Sequence, residues 1–218
     1  MTVPIRIEQK CCICGCRSNQ TVLASTNRFG APDLDLRPPQ MMRSTMGWWI
    51  HECPECGYVS VDLEQKPSGI SNRNMRNFLR SDRYTSCNGM NITTDLGKQF
   101  IKSFLIHAYA GKWETAFSDI HHAAWACDDA SDKENAIICR KIAVKCSKRF
   151  PLDETMKTVI ADIMRRAGLF KEMVMEYEHI QVKDETLCRV IKFEIEKAKA
   201  RDAKRYTLDD ISPGNEIV

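Results

Sequence analysis

The chain has 218 residues, of which 43% are hydrophobic and 28% are charged, and its formal net charge is +3. These values are ordinary for a globular protein and argue against a chain that is disordered throughout. An excess of three positive charges is too small to indicate nucleic-acid binding by itself. No run approaches the roughly eighteen apolar residues of a membrane span, and we interpret the N-terminal residues as part of the folded chain rather than as a secretion signal.

The cysteine content is high, with 11 cysteines in the chain. Because the sequence shows neither a secretion signal nor a membrane span, we expect a cytoplasmic protein. In that reducing compartment, metal binding and buried thiols explain many cysteines better than disulfides do.

The composition changes near Thr93. Before this residue lie 11 of the 32 Lys and Arg residues and 8 of the 29 Asp and Glu residues, so the N-terminal part carries the whole positive excess. Helical periodicity begins at the same place. We predict a cysteine-rich module over residues 1–65, a linker with a basic helix over 66–92, a helical domain over 93–206 and a tail over 207–218.

Two stretches of the N-terminal module repeat one cysteine pattern, C-x-x-C-G. They are CCICGC at residues 11–16 and CPECGY at residues 53–58. The two-residue gap lets two sulfurs approach one ion, and the glycine allows the positive-φ backbone that aims N–H groups at thiolates. Four thiolates leave no open position on a tetrahedral ion. The pattern therefore predicts a structural zinc site in a zinc-ribbon-like module, with the ligands Cys11, Cys14, Cys53 and Cys56.

Other thiols and one histidine leave alternatives at this site. Cys12 lies between two predicted ligands and cannot join the same turn, whereas Cys16 could replace Cys14 if the turn slipped by two residues. His51 is another conceivable ligand, although we expect it to be exposed. Release of zinc on oxidation would make the site a redox switch.

A charged loop, PDLDLRPP, lies between the two cysteine pairs. Two carboxylates with nearby arginines could perform acid/base chemistry, so an enzyme using Asp33, Asp35 and Arg37 is one alternative. No nucleophile or further base accompanies them. We favour local pairing of Asp33, Asp35, Arg37 and Arg43, which fixes the loop over the zinc module.

Two adjacent tryptophans follow this loop. If residues 47–50 form a strand, Trp48 and Trp49 point to opposite faces. One of them is then buried and the other more exposed, and we expect one to pack against the helical domain.

Four arginines follow in the predicted linker at spacings of three, four and three: Arg73, Arg76, Arg80 and Arg83. A helix would gather them on one face, where Arg76 and Arg80 could contact an acidic partner or nucleic acid. A solvated helix face is the plainer interpretation, because few aromatic residues accompany the arginines.

From Thr93 onward the periodicity predicts six helices. Thr94 or Asp95 begins the first, Ser131 and Glu134 form a capping box for the third, and Asp153 caps the fourth. In chain order, the predicted helices are one that ends at Gly111, one over residues 113–127, one over 134–146, one that ends at Gly168, one over 170–179 and one over 187–198.

Two of the helix pairs share an internal spacing. Each has a turn glycine followed five and nine residues later by residues that contact the neighbouring helix; the sets are Gly111, Ala116 and Ile120, and Gly168, Met173 and Tyr177. Tetratricopeptide hairpins use this packing, although their period is about 34 residues and these glycines are 57 apart. We predict a mainly α fold with a tetratricopeptide-like antiparallel bundle, and a plain bundle without a groove stays an alternative.

The order of these motifs also resembles a known family. After the two cysteine pairs come AAWACDDASDKENA, ADIMRRAGLFKEMVMEYEHI and AKARDAKRY. With the PDLDLRPP loop and the RRAG turn, most of the chain resembles a family of uncharacterised bacterial proteins, a domain of unknown function with a zinc-ribbon-like N-terminus and a tetratricopeptide-like C-terminus. The resemblance implies a fold and a bound metal, and no activity.

These observations favour a non-catalytic zinc-binding protein whose helices bind another protein. The alternatives are a nucleic-acid-associated zinc-ribbon protein and an enzyme that uses the charged loop.

Overall fold

The structure, a computed structural model, describes residues 1–211. Its described part has two small antiparallel sheets near the N-terminus, followed by helices. The predicted mainly α fold is confirmed. The predicted tail lies outside the described residues from residue 212 onward. None of the helices in the described part is long and apolar enough to cross a bilayer.

The strands are β1 (Val3–Lys10), β2 (Arg17–Ser25), β3 (His51–Glu52) and β4 (Val59–Ser60). The helices are α1 (Asn72–Leu79), α2 (Asp82–Thr85), α3 (Asp95–Tyr109), α4 (Trp113–Asp129), α5 (Lys133–Ser147), α6 (Glu154–Arg166), α7 (Phe170–Tyr177) and α8 (Glu185–Lys199). Short 3₁₀ helices cover Met42–Trp48, Ser86–Gly89 and Leu208–Ile211. Strand β1 pairs with β2, and β3 pairs with β4.

The six predicted helices correspond to α3–α8. The cap of α6 is confirmed, because the Asp153 side chain accepts a hydrogen bond from the Met156 N–H at 2.7 Å. The predicted capping box of α5 is wrong by one residue, since Asp132 rather than Ser131 accepts from the Asn135 N–H. Ser131 instead ends α4 in a left-handed conformation, with φ at 60°.

The end of α4 has the hydrogen bonds of a Schellman motif. The N–H of Asp132 donates to the Cys127 carbonyl at 2.8 Å, and the N–H of Ser131 donates to the Asp128 carbonyl at 3.0 Å. Gly111 ends α3 in the same way. An L-residue with a side chain is disfavoured at the left-handed position, where glycine is the usual residue.

Ser131→Gly is therefore expected to raise the free energy of unfolding by about 0.5–1 kcal/mol. The matched control is Ser118→Gly on the exposed face of α4, which should lower it by about 0.5 kcal/mol because glycine weakens a helix interior. Urea denaturation of both variants measures the two effects. Equal losses in both variants would contradict the strain assigned to Ser131.

Short turns connect several of the helices and set their order in the bundle. Three residues join α3 to α4, α4 to α5, and α6 to α7. Along the chain α3 packs on α4, α4 on α5, and α5 on α6, while α8 packs on both α6 and α7. Such short turns bring consecutive helices together as antiparallel neighbours. The tetratricopeptide-like interpretation of this bundle stays a prediction.

The segment predicted as a linker contains α1 and α2. Met75, Phe78 and Tyr84 of this segment are buried in a core that continues from the cysteine module into the helices. The predicted basic helix is present as α1. However, it ends at Leu79, and Arg83 lies on the separate helix α2, so the four arginines do not share one helix face. The boundaries at residues 65 and 92 stay predictions.

The strand at residues 47–50 on which the tryptophan prediction depends is not formed, and the prediction is wrong. A 3₁₀ helix covers Met42–Trp48, and both Trp48 and Trp49 are half-buried rather than one buried and one exposed. The indole N–H of Trp49 donates to the buried Thr45 hydroxyl at 2.8 Å, one turn earlier, which a strand could not provide. Trp49 does pack against the helical part, with its ring 5.6 Å from that of His122 on α4.

Candidate metal centre and the charged loop

Each cysteine pair forms the turn of a β-hairpin. Residues 11–16 connect β1 to β2, and residues 53–58 connect β3 to β4. The two turns have matching backbone hydrogen bonds: the N–H of Gly15 donates to the Cys11 carbonyl at 2.8 Å, and that of Gly57 donates to the Cys53 carbonyl at 3.0 Å. Both glycines have positive φ, at 82° and 69°, as the sequence pattern predicts.

The fold brings the four predicted ligands together although 38 residues separate Cys14 from Cys53. Their sulfurs all lie within 4.8 Å of one another. The Sγ atoms of Cys11 and Cys56 are 3.7 Å apart, and those of Cys14 and Cys53 are 3.5 Å apart. Tetrahedral zinc with bonds of about 2.3 Å places its sulfurs about 3.8 Å apart. The set therefore fits a tetrahedral ion and forms a candidate metal site.

The backbone of the second turn favours the thiolate form of a cysteine. Burial alone would raise the pKa of the Cys53 thiol, but hydrogen bonds from the N–H groups of Cys56 and Glu55 and from the thiols of Cys14 and Cys56 together outweigh burial and lower that pKa. The pKa of Cys56 is raised, chiefly by burial. Because metals bind the thiolate, the N–H groups around Cys53 prepare it as a ligand.

Helices α1 and α2 hold both cysteine turns in place. The guanidinium of Arg76 donates twice to the Ile13 carbonyl, at 2.8 and 2.5 Å, and the Asn72 amide donates to the Cys12 carbonyl at 2.8 Å. On the other turn, the Tyr84 hydroxyl donates to the Gly57 carbonyl at 2.5 Å. Sequence reasoning places Arg76 on a partner surface, whereas the structure engages it within the chain. Arg80 is exposed beside the site.

The alternative ligands lie outside the four-sulfur set. Cys12 and Cys16 are half-buried free thiols next to it. The expected exposure of His51 is wrong, because this residue is buried, with 5% exposure. Burial lowers the pKa of His51. Among the described residues, no histidine belongs to a candidate metal set.

Asp33 makes the local ion pair that the sequence predicts. Its carboxylate accepts from the Arg43 guanidinium at 2.6 Å and lies 3.7 Å from that of Arg205. The side chain is about 1% exposed, and burial raises the pKa of Asp33 although Arg43 opposes the shift. The Nε of Arg43 also donates to the Pro38 carbonyl, so this pair closes the loop on itself.

Asp35 pairs with the helices rather than locally. Its Oδ2 accepts from Trp125 Nε1 at 2.8 Å and from Arg166 Nη1 at 2.8 Å, and it lies 3.2 Å from His121 Nε2. The remaining oxygen accepts from the backbone N–H of Arg37. Burial would raise the pKa of Asp35, but His121 and Arg166 outweigh it and hold the pKa well below its usual range. Asp35 is thus a buried, ionised anchor between α4 and α6.

Arg37 extends the anchor to the end of α4. Its guanidinium forms an ion pair with Asp129 and lies over the Trp125 ring, 5.8 Å from the ring centroid. Like the two aspartates, its side chain is about 1% exposed. A substrate could not reach these three charged groups in this conformation. The loop charges hold the loop on the bundle. They connect it to His121 and Arg166, which lie 86 and 131 residues after Asp35 in the chain.

Comparisons of the chain with protein-family models, with curated proteins and with solved structures found no match. The family resemblance based on the cysteine pairs and the RRAG turn therefore stays a prediction.

Sequence reasoning missed the arginine pair of the RRAG turn as part of this network. Arg166 joins Asp35 to Asp128, and Arg165 forms an entirely buried ion pair with Glu194 on α8. Arg165 also donates to the Asp202 carbonyl, which ties down the segment after α8. The available signal was the position of two adjacent arginines directly after the apolar residues Ile163 and Met164 of α6, because such side chains must find partners when buried.

Proposed function

We propose that this chain is a non-catalytic zinc-binding protein in which Cys11, Cys14, Cys53 and Cys56 hold one structural zinc ion. The observation that carries the proposal is the four-sulfur cluster on two matching turns. With four thiolates bound, the ion keeps no position for substrate or water. This arrangement supports a zinc-ribbon-like role in which the metal joins two hairpins that have little core of their own.

We further propose that the helical part binds another protein. A groove of about 560 Å³ lies between α7 and α8, with Phe170, Val174 and Met175 among its lining residues. Met175 is 80% exposed, although it is a large apolar side chain. Exposed apolar residues in a concave surface favour contact with a partner, and they support a tetratricopeptide-like use of the bundle.

The interaction is tested with Met175→Glu, which places a charge in the groove. Zinc-loaded wild-type protein is expected to retain a specific protein from native cells, and the variant is expected to lose it. Ile138→Glu is the matched control, because Ile138 is 52% exposed on a different helix. Affinity purification with quantitative mass spectrometry measures retention. Equal retention by Met175→Glu, or equal loss with Ile138→Glu, would remove the groove from the proposal.

A nucleic-acid role receives less support from the arginine positions. Arg76 is already engaged with the Ile13 carbonyl, beside four thiolates whose negative charge would repel phosphate. Arg80 and Arg83 lie at opposite sides of a helix break.

A further inference from the structure

A second cavity lies between the charged loop and helix α4. Its volume is about 450 Å³, which is within the range of small-molecule sites. Residues of the loop between positions 28 and 42 form one wall, and α4 with Trp49 forms the other. The rigid groups of this lining are Pro32, Pro38, Pro39, Trp49, His122 and Trp125.

Trp49 is half-buried and offers ring surface rather than a hydrogen bond to this cavity, and Trp125, which is 4% exposed, also lines it. The N–H of Trp125 is already bound to Asp35, and that of Trp49 is bound to Thr45. The His122 ring lies against both, with centroids 4.7 Å from Trp125 and 5.6 Å from Trp49. Aromatic rings and prolines in fixed positions favour a flat, apolar occupant that stacks on them.

Arg28 is the one charged side chain among the described residues of the cavity wall. It is exposed and has no ion-pair partner within the described residues; its Nε donates to the Met42 sulfur at 3.0 Å. Burial, with smaller contributions from the neighbouring His121 ring and the positive charge of Arg37, lowers the pKa of His122 to about 3, so that ring is neutral near pH 7. The cavity therefore presents a single positive charge, which complements an anion.

The loop wall is held rigidly by the buried anchors on either side of Leu36. Asp35 and Arg37 are both about 1% exposed, whereas Leu36 between them is 47% exposed and lines the cavity. Leu36 has a φ of 62°, which a leucine rarely adopts. Strained backbone that the surrounding contacts hold in place is typical of binding sites.

We propose that this cavity binds a planar aromatic molecule carrying one carboxylate or phosphate group. The ring lies against Trp49, and the anionic group pairs with Arg28. This site is independent of the metal centre and of the α7–α8 groove.

The proposal is tested by calorimetric titration of the full-length, zinc-loaded chain with three probes. They are 2-naphthoate, the uncharged 2-naphthamide, and decanoate, which has the charge without the flat ring. 2-Naphthoate is expected to bind about tenfold more tightly than either of the others, because only it satisfies both the ring surface and the charge.

Arg28→Gln removes the positive charge of the cavity wall and leaves its aromatic residues unchanged. It should weaken 2-naphthoate about tenfold and leave 2-naphthamide unchanged. Arg6→Gln, at an exposed arginine of β1, is the matched control and should change neither. Urea midpoints and zinc contents equal to the wild type confirm that both variants are folded. Absence of saturable 2-naphthoate binding, equal affinity for all three probes, or no effect of Arg28→Gln would overturn the proposal.

Discussion

Cys53→Ser is expected to bind zinc at least about 100-fold more weakly than the wild-type chain and to lose about 4 kcal/mol of unfolding free energy. The physical reason is linkage. Zinc binds the folded arrangement of four sulfurs within 4.8 Å, and the unfolded chain does not hold them together. A ligand present at about 1,000 times its dissociation constant stabilises the folded state by about this amount. Zinc content after dialysis against a chelator, followed by urea denaturation, measures both effects.

The chain provides a matched control in Cys12→Ser. Cys12 is a half-buried free thiol in the same turn as Cys11, but it lies outside the four-sulfur set. This variant should keep one equivalent of zinc and unfold within about 1 kcal/mol of the wild type, as expected for a substitution that spares the metal site. Zinc loss from Cys12→Ser equal to that from Cys53→Ser would show that the ligand set is wrong. Full retention of zinc by Cys53→Ser would also show that Cys53 is not a ligand.

The ligand set could be predicted because its signal is local and occurs twice. Each C-x-x-C-G turn spans five residues, and Gly15 and Gly57 report the same backbone requirement independently. The helices could be predicted for a similar reason, since periodicity over 15 residues such as α3 is a strong signal. The cap residue of α5 was harder to predict, because Ser131 and Asp132 are adjacent residues that can both cap a helix.

The partners of the charged loop could not be predicted from local sequence. Asp33 finds Arg43 ten residues away, and that pair was expected. Asp35 instead finds His121, Trp125 and Arg166, which lie 86, 90 and 131 residues away. Their meeting depends on how α4 and α6 pack, and a single sequence does not specify such packing. For the same reason, the contact between Arg76 and the first cysteine turn, 63 residues earlier, could not be predicted from the sequence.

Asp35→Asn is expected to lower the free energy of unfolding by about 3–5 kcal/mol. The carboxylate is fully buried and accepts hydrogen bonds from groups of the loop, α4 and α6. An amide of the same size places an NH₂ group against these donors and removes the negative charge beside Arg166. Breaking one partner of a buried ion pair costs more than the pair itself contributes, because the other charge stays buried without compensation.

Two comparisons make this prediction specific to the buried network. Asp95→Asn applies the same substitution to a carboxylate that is 99% exposed, and it should cost less than about 0.5 kcal/mol. A double-mutant cycle with Arg166→Met should then show coupling of about 1–3 kcal/mol between positions 35 and 166. Zinc content should stay at one equivalent in Asp35→Asn, because Asp35 belongs to the anchor between the loop and the helices and not to the metal site. A loss below about 1 kcal/mol, or additive effects in the cycle, would mean that the loop is held by its apolar contacts rather than by its buried charges.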